Sequence, residues 1–303
     1  MKRAVELSQA TVECPVCGSE SAFSEEAPDW GEWYRCANCT LEFVQPLRLD
    51  ESPLSLFDGA YQGQRRRSGM EEFGKRFKMR RALIRRPQLW FWTPAFSQVL
   101  AWLKLRVPSG STVLEVGCGL GYFLHEMRNA GFEPVGLDVA ESVVGLLRSE
   151  GFKTWHGTVD TLPQGWVEPA AIVSFFMLHH VDDPLTFFST LRKRWPRTPI
   201  ALAAYGPSNK DFQSHPPRTL TRWSARSLAE VMNRAGYLAR TVSVSGTGYE
   251  HSALLPLRTL AKKTLSIPWL FRLGKSFQVN VAPRLLGGFA RDAFVVVGFG
   301  EPQ

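Results

Sequence analysis

Thr112-Val113-Leu114-Glu115-Val116 is a short apolar strand pattern, Gly117-Cys118-Gly119-Leu120-Gly121 follows it at once, and a helical pattern runs over 122–130. Glycines at alternate positions let the backbone turn sharply and approach a ligand with no Cβ in the way. The helix that follows presents unpaired N–H groups at its start. Alone, such a loop also serves as a tight strand-to-helix turn with no ligand. A second strand pattern over 134–137 ends in Asp138, 17 residues beyond Gly121, where a carboxylate can accept both hydroxyls of a ribose. The spacing Gly-x-Gly-x-Gly differs from the dinucleotide fingerprint Gly-x-Gly-x-x-Gly, which disfavours nicotinamide and flavin cofactors. A ligand that has a ribose but no obligatory diphosphate is indicated.

Upstream, Cys14-Pro15-Val16-Cys17 and Cys36-Ala37-Asn38-Cys39 form two C-x2-C knuckles separated by 18 residues, the spacing of a four-thiolate zinc ribbon. Gly18 permits the tight turn that the first knuckle needs. Four thiolates fill a tetrahedron and leave no place for water, so Cys14, Cys17, Cys36 and Cys39 are expected to hold a structural Zn2+ and not a catalytic one. Strand-like runs over 32–35 and 40–44 flank the second knuckle. The fifth cysteine, Cys118, reads most simply as a small packing residue of the glycine loop.

The 303 residues allow one large domain and a small appendage, and 44% hydrophobic with 21% charged residues can bury a full core. That balance excludes a chain dominated by disorder. No window holds about 18 uninterrupted apolar residues, and the first ten residues lack the apolar region of a secretory signal. The expectation is a cytoplasmic protein. Five cysteines, four of them in knuckles, are too few for a secreted disulfide scaffold.

The net charge of +8 is unevenly spread. Residues 64–87 hold ten bases, Arg80 and Arg81 among them, against Glu71 and Glu72. Residues 251–291 add seven bases and no acid, which leaves the remainder net −7. Two local basic surfaces can attract an anionic acceptor, a membrane or nucleic acid, or can simply be solvated helix faces. Met70, Phe73, Phe77 and Ile84 fall near one face of an amphipathic basic helix, a stripe that Arg80 and Arg81 interrupt. Thr93-Pro94 then reads as a helix start, with Phe96, Val99, Leu100 and Leu103 on one stripe that stops before Pro108. The domain reading is a zinc ribbon over 1–50, a basic and aromatic helical segment over 51–110, and the remaining domain over 111–303 with an insert at about 249–291.

The run Val113 to Gly121, then Gly136-Leu137-Asp138, then Gly157-Thr158-Val159-Asp160-Thr161-Leu162-Pro163, then Leu178-His179-His180-Val181-Asp182-Asp183-Pro184 resembles, in order, the class I S-adenosylmethionine-dependent methyltransferases. The resemblance covers about 111–244 and the last strand. It implies an α/β fold with a Rossmann-like, seven-stranded, mostly parallel sheet, helices on both faces and an antiparallel final strand. It implies S-adenosylmethionine as cofactor, bordered by Gly117, Cys118, Gly119 and Gly121. Glu115 would order the glycine loop and the amino end of the methionine, Asp138 and Val139 would meet the ribose, and Thr158, Val159 or Asp160 the adenine. Pro169-Ala170-Ala171 departs from the Phe-Asp that relatives usually show before strand four. A zinc ribbon ahead of such a domain resembles a branch with sugar C-methyltransferases and O-methyltransferase-like proteins.

Methyl transfer from a sulfonium is an in-line displacement, so the protein mainly aligns the reactants and excludes water. His179 and His180 follow the strand pattern 171–175, at the carboxyl end where ligands collect. His180 is the candidate base for a hydroxyl acceptor and His179 the candidate cofactor contact; the alternative is that they cap the helix beginning near Asp183-Pro184. His215, in the long segment 205–223, is a second candidate at the acceptor pocket.

The function expected is methyl transfer to a small-molecule, lipid-like or sugar-like acceptor, at oxygen. An anionic or lipid-linked acceptor and peripheral membrane contact suit the basic stretches. Two alternatives stand beside it: an RNA methyltransferase that grips phosphates with the ribbon and basic helix, and a non-catalytic module that kept the cofactor pocket. Nucleic acid is the less favoured partner, because no Asn-Pro-Pro-Tyr type motif follows strand four.

Overall fold

The computed structural model describes residues 12–27, 30–47, 80, 84, 93–207, 216, 219–244 and 295–303. Most of the basic helical segment, the 249–291 insert and His215 lie outside the described residues.

The larger sheet is built from β5 (Thr112–Val116), β6 (Glu133–Asp138), β7 (Lys153–His156), β8 (Ala171–Phe175), β9 (Ile200–Tyr205), β11 (Tyr237–Val244) and β12 (Val295–Pro302). Its order is β11-β12-β9-β8-β5-β6-β7. The pairs β5–β6, β6–β7, β5–β8 and β8–β9 are parallel, while β12 runs antiparallel to both β9 and β11. This is the Rossmann-like sheet with one reversed strand that the motif order implies. Chain order reverses beside β5, so the crevice for a ligand opens at the carboxyl ends of β5, β6 and β8.

Strands β8 and β9 are buried at every position, as covering on both faces requires. The period of two divides their side chains between two cores. Val113, Val173, Phe175, Ala201, Ala203 and Val297 pack under α1 (Thr93–Arg106), α2 (Tyr122–Asn129) and α3 (Glu141–Ser149). Leu114, Val116, Ile172, Leu202, Ala204 and Val296 pack under α4 (Pro184–Arg194) and α5 (Ala225–Arg234). Gly298 in β12 makes the second approach possible, since a Cβ there would lie 2.9 Å from Met232 Sδ and 3.0 Å from Leu228 Cδ2. Caps fix the helix starts: Asp183 Oδ1 accepts the Thr186 N–H ahead of α4, and Ser224 forms a capping box with Ser227 ahead of α5.

A second, antiparallel sheet carries the cysteines, in the order β1 (Val12–Glu13), β2 (Glu20–Ala27), β3 (Gly31–Cys36), β4 (Glu42–Gln45) and β10 (Thr221–Arg222). Its last strand comes from the segment between β9 and α5. Thr221 pairs with Phe43 and Arg222 with Glu42, so the amino-terminal module and the larger domain share a sheet. No described helix is long and apolar enough to cross a membrane.

Candidate functional site

Gly117, Gly119 and Gly121 all adopt positive φ, at 71°, 48° and 72°. A Cβ on Gly117 would come within 2.6 Å of Met177 Cγ, and one on Gly121 would collide with Leu147 Cδ2. The loop is held from below by Leu137, whose carbonyl accepts the Gly117 and Cys118 amides at 2.8 and 3.1 Å. Asp138 holds it from the side: Oδ2 accepts the Gly119 N–H at 2.7 Å and Oδ1 accepts the Ala140 N–H at 2.9 Å. Burial pushes the Asp138 carboxyl up, against these amides, which pull it down.

Glu115 lies on the same strand face as Val113, 3% exposed, and its Oε2 is buried without a hydrogen-bond partner among the described residues. Burial, reinforced by the nearby Asp138 charge, raises its carboxyl well above the ordinary range. A buried carboxyl lacking a partner, beside a bare glycine cradle, suits a ligand that brings a positively charged donor. The amino group of an S-adenosylmethionine methionine is such a donor. Cys118 has its side chain in the core, with its Sγ 2.8 Å from where a Cβ on Gly136 would lie. Only its main chain borders the loop.

Around the expected adenine site, Val139 and Thr158 are half-buried, Val159 is a core residue and Asp160 is exposed. The Gly157 amide donates to the Asp138 carbonyl at 2.9 Å, which joins this loop to β6. His156 was not legible from the motifs. It pairs with Asp138 across β6 and β7, and its Nε2–H donates to the Val139 carbonyl at 3.1 Å.

On the other side of the crevice, Phe176 leaves β8 with φ 53°, a rare backbone state for a bulky residue, and the 3-10 turn Leu178–His180 follows. That turn brings His179 and His180 together, with ring centroids 3.9 Å apart. Tyr205, at the end of β9, lies 4.6 Å from the His179 ring and 4.8 Å from the Phe176 ring. His179 is buried at 2% exposure and His180 half-buried. The cap of α4 is made by Asp183, so the histidines are not its side-chain cap.

The four thiols of Cys14, Cys17, Cys36 and Cys39 lie within 4.8 Å of one another, with Cys14–Cys39 at 3.5 Å and Cys17–Cys36 at 3.4 Å. Sulfurs bound tetrahedrally at about 2.3 Å stand about 3.8 Å apart, so this cluster fits one Zn2+. Both knuckles end alike. The Gly18 amide donates to the Cys14 carbonyl and the Thr40 amide to the Cys36 carbonyl, and both residues have positive φ, 72° and 63°. Hydrogen bonding from Cys39 lowers the Cys14 thiol to about 5, while the same bond raises Cys39.

Among the described residues two arginines are buried, and one of them, Arg80, belongs to a stretch that can be read as a solvated helix face. Arg80 is 4% exposed; its Nε donates to the Leu120 carbonyl at 2.7 Å, and its guanidinium pairs with Glu150, which also meets His125. It therefore braces the glycine loop. Arg222, 1% exposed, pairs with Glu25 at 2.7 Å and Glu42 at 3.2 Å and stacks over the Trp33 ring at 3.9 Å.

Residues 91–242 match the family described as Methyltransferase domain. No curated protein matches the sequence. Among solved structures, the chain is similar to one in the complex of the Haloferax volcanii Trm112 methyltransferase activator with a protein described as a methyltransferase. That likeness has a TM-score of 0.51 at 20% identity and covers 84% of this chain and 98% of the other. Phosphoethanolamine N-methyltransferase 2 of Haemonchus contortus is similar at TM-score 0.48 and 16% identity, over 68% of this chain and 53% of the other. Magnesium protoporphyrin IX methyltransferase of Synechocystis PCC 6803 is similar at TM-score 0.42 and 18% identity, over 50% of this chain and 76% of the other. At 20% identity the first of these structures speaks to fold, whereas the family match spans half of the chain. The chain belongs to the methyltransferase domain family: it is a class I S-adenosylmethionine-dependent methyltransferase that carries an amino-terminal four-cysteine module.

Proposed function

We propose that this enzyme methylates an oxygen of a small-molecule acceptor, lipid-like or sugar-like, with S-adenosylmethionine as donor. The observation that carries the reading is the meeting of a glycine cradle and a histidine pair at the carboxyl ends of adjacent strands β5, β6 and β8. When bound, the sulfonium supplies an activated methyl group. Glu115 receives the amino end of the methionine, Gly117, Gly119 and Gly121 leave room for it, and Asp138 with Val139 holds the ribose. Thr158, Val159 and Asp160 border the adenine, mainly through main chain at Val159. His179 and Tyr205 form a ring wall between cofactor and acceptor and exclude water from the reacting line. His180, less buried than His179, takes the proton from the acceptor hydroxyl as the C–O bond forms. His215 is assigned to the acceptor pocket on its place in the sequence alone.

The basic stretches favour an anionic or lipid-linked acceptor by attraction. The burial of Arg80 counts against a phosphate-gripping role for at least that member of the stretch. The test is incubation with methyl-labelled S-adenosylmethionine and separated pools of lipids, small metabolites and RNA. Label as an O-methyl group in a lipid or metabolite, with a His180→Asn rate reduced about 100-fold or more, is expected. Label in RNA, or an unchanged His180→Asn rate, overturns the reading. Absence of S-adenosylhomocysteine release with every pool favours a non-catalytic binding module.

A further inference from the structure

We infer that Arg222 is a positioning residue that makes the four-cysteine module part of the acceptor wall. The proposal rests on the reading of His179 and Tyr205 as that wall. Arg222 is a charged side chain at 1% exposure, and it meets three residues of the module: Glu25 of β2, Trp33 of β3 and Glu42 of β4. Such a burial is costly unless the pairing is good, so the guanidinium specifies how β10 seats against the module.

The residues on either side of β10 then grip the crevice through main chain. Just before it, the Leu220 amide donates to the His179 carbonyl at 2.7 Å while the Leu220 carbonyl accepts the Val44 amide at 3.0 Å. Just after it, the Trp223 amide donates to the Tyr205 carbonyl at 2.8 Å, and the Trp223 side chain is fully buried. Thus β4, β10, the histidine turn and the end of β9 form one hydrogen-bonded series. The side of Ser224 adds a further tie, with its Oγ 2.6 Å from Thr40 Oγ1, directly after the second knuckle. Among the described residues the glycine loop and Asp138 make no hydrogen bond within this series; they are held by Leu137, Ala140 and Arg80. The module therefore positions the acceptor half of the crevice through hydrogen bonds, and the histidine turn meets the glycine loop through the packing of Met177 on Gly117.

The experiment is hydrogen–deuterium exchange with mass spectrometry on the full, zinc-loaded chain, wild type and Arg222→Met, with titration of S-adenosylhomocysteine in parallel. In the variant, exchange over 177–181 and 219–223 is expected to rise about 10-fold or more while 112–121 changes less than about 3-fold. Affinity for S-adenosylhomocysteine should hold within about 3-fold. Arg222→Lys should fall between, since an ammonium cannot lie flat on Trp33 and reach both carboxylates. Glu25→Gln, at the half-exposed edge of the cluster, keeps the test open if Arg222→Met fails to fold, and predicts the same local pattern at smaller amplitude. Uniform acceleration along the chain reduces Arg222 to a general stabiliser and overturns the proposal, as does unchanged exchange at 177–181. If wild type fails to bind S-adenosylhomocysteine, the cofactor reading falls, while the exchange pattern still decides the role of Arg222.

Discussion

Asp138, at the end of β6, accepts the Gly119 amide at 2.7 Å, so the carboxylate expected to meet a ribose also fixes the loop that would border the methionine. Its second oxygen accepts the Ala140 amide at the start of α3. Asp138→Ala removes both acceptors from largely buried N–H groups. The variant should lose about 1–3 kcal/mol of stability, read from urea midpoints. It should also bind S-adenosylhomocysteine at least about 10-fold more weakly, about the contribution of one hydrogen bond to a carboxylate. Retained affinity would remove Asp138 from the cofactor site.

Glu115 gives a pH dependence with a definite sign. Its native carboxyl lies well above the ordinary range because of burial, so above pH 4.5 the unfolded chain releases a proton that the folded chain keeps. Stability contributed by this group is full below the unfolded value and declines as pH rises, until the native carboxyl ionises too. Asp138, also raised by burial, acts in the same direction. Glu115→Gln should flatten the decline between pH 5 and pH 8 in urea melts, while weakening S-adenosylhomocysteine binding. An ammonium beside Glu115 favours the carboxylate, so binding by wild type should release a proton, seen as heats that vary with buffer ionisation enthalpy.

Gly121 separates glycine's backbone freedom from its lack of bulk. At φ 72° a Cβ is strained, and here it would also strike Leu147 of α3, a fully buried side chain. Gly121→Ala should cost about 1–3 kcal/mol in thermal or urea unfolding. Gly110→Ala, at φ 81° with nothing near the added carbon, should cost only the backbone part, about 1 kcal/mol.

The four thiols predict one zinc per chain by elemental mass spectrometry. Cys39→Ser should lower that ratio and destabilise β1 to β4 by several kcal/mol, because metal affinity is spent on folding the module. A chelator should do the same to wild type. Full stability without metal would make the knuckles ordinary buried cysteines.

Much of this molecule was legible from local pattern. Strand β8 runs over Ala171–Phe175 as its apolar run predicts, and α4 starts at Asp183-Pro184 through a side-chain cap that the residue types announce. Strand β7 was missed because Lys153–His156 is only four residues long, with Trp155 its one apolar member and Phe152 the one apolar side chain flanking it. Strand β10 was invisible for another reason: two residues, Thr221 and Arg222, become a strand only by pairing with Phe43 and Glu42, far away in sequence. The same distance hid Arg80 and Arg222. A charged residue reads as solvated until the fold supplies Glu150 for one and Glu25 with Glu42 for the other. Thr40 escaped because positive φ is foreseen at Gly18 but not at a β-branched residue.

The glycine loop, Glu115 and Asp138 make up the proposed S-adenosylmethionine site. Its most direct test is calorimetric titration of zinc-loaded wild type with S-adenosylmethionine, S-adenosylhomocysteine and NADH. One-to-one binding of the first two with no binding of NADH is the predicted result; binding of NADH, or of none of the three by a folded protein, would contradict it.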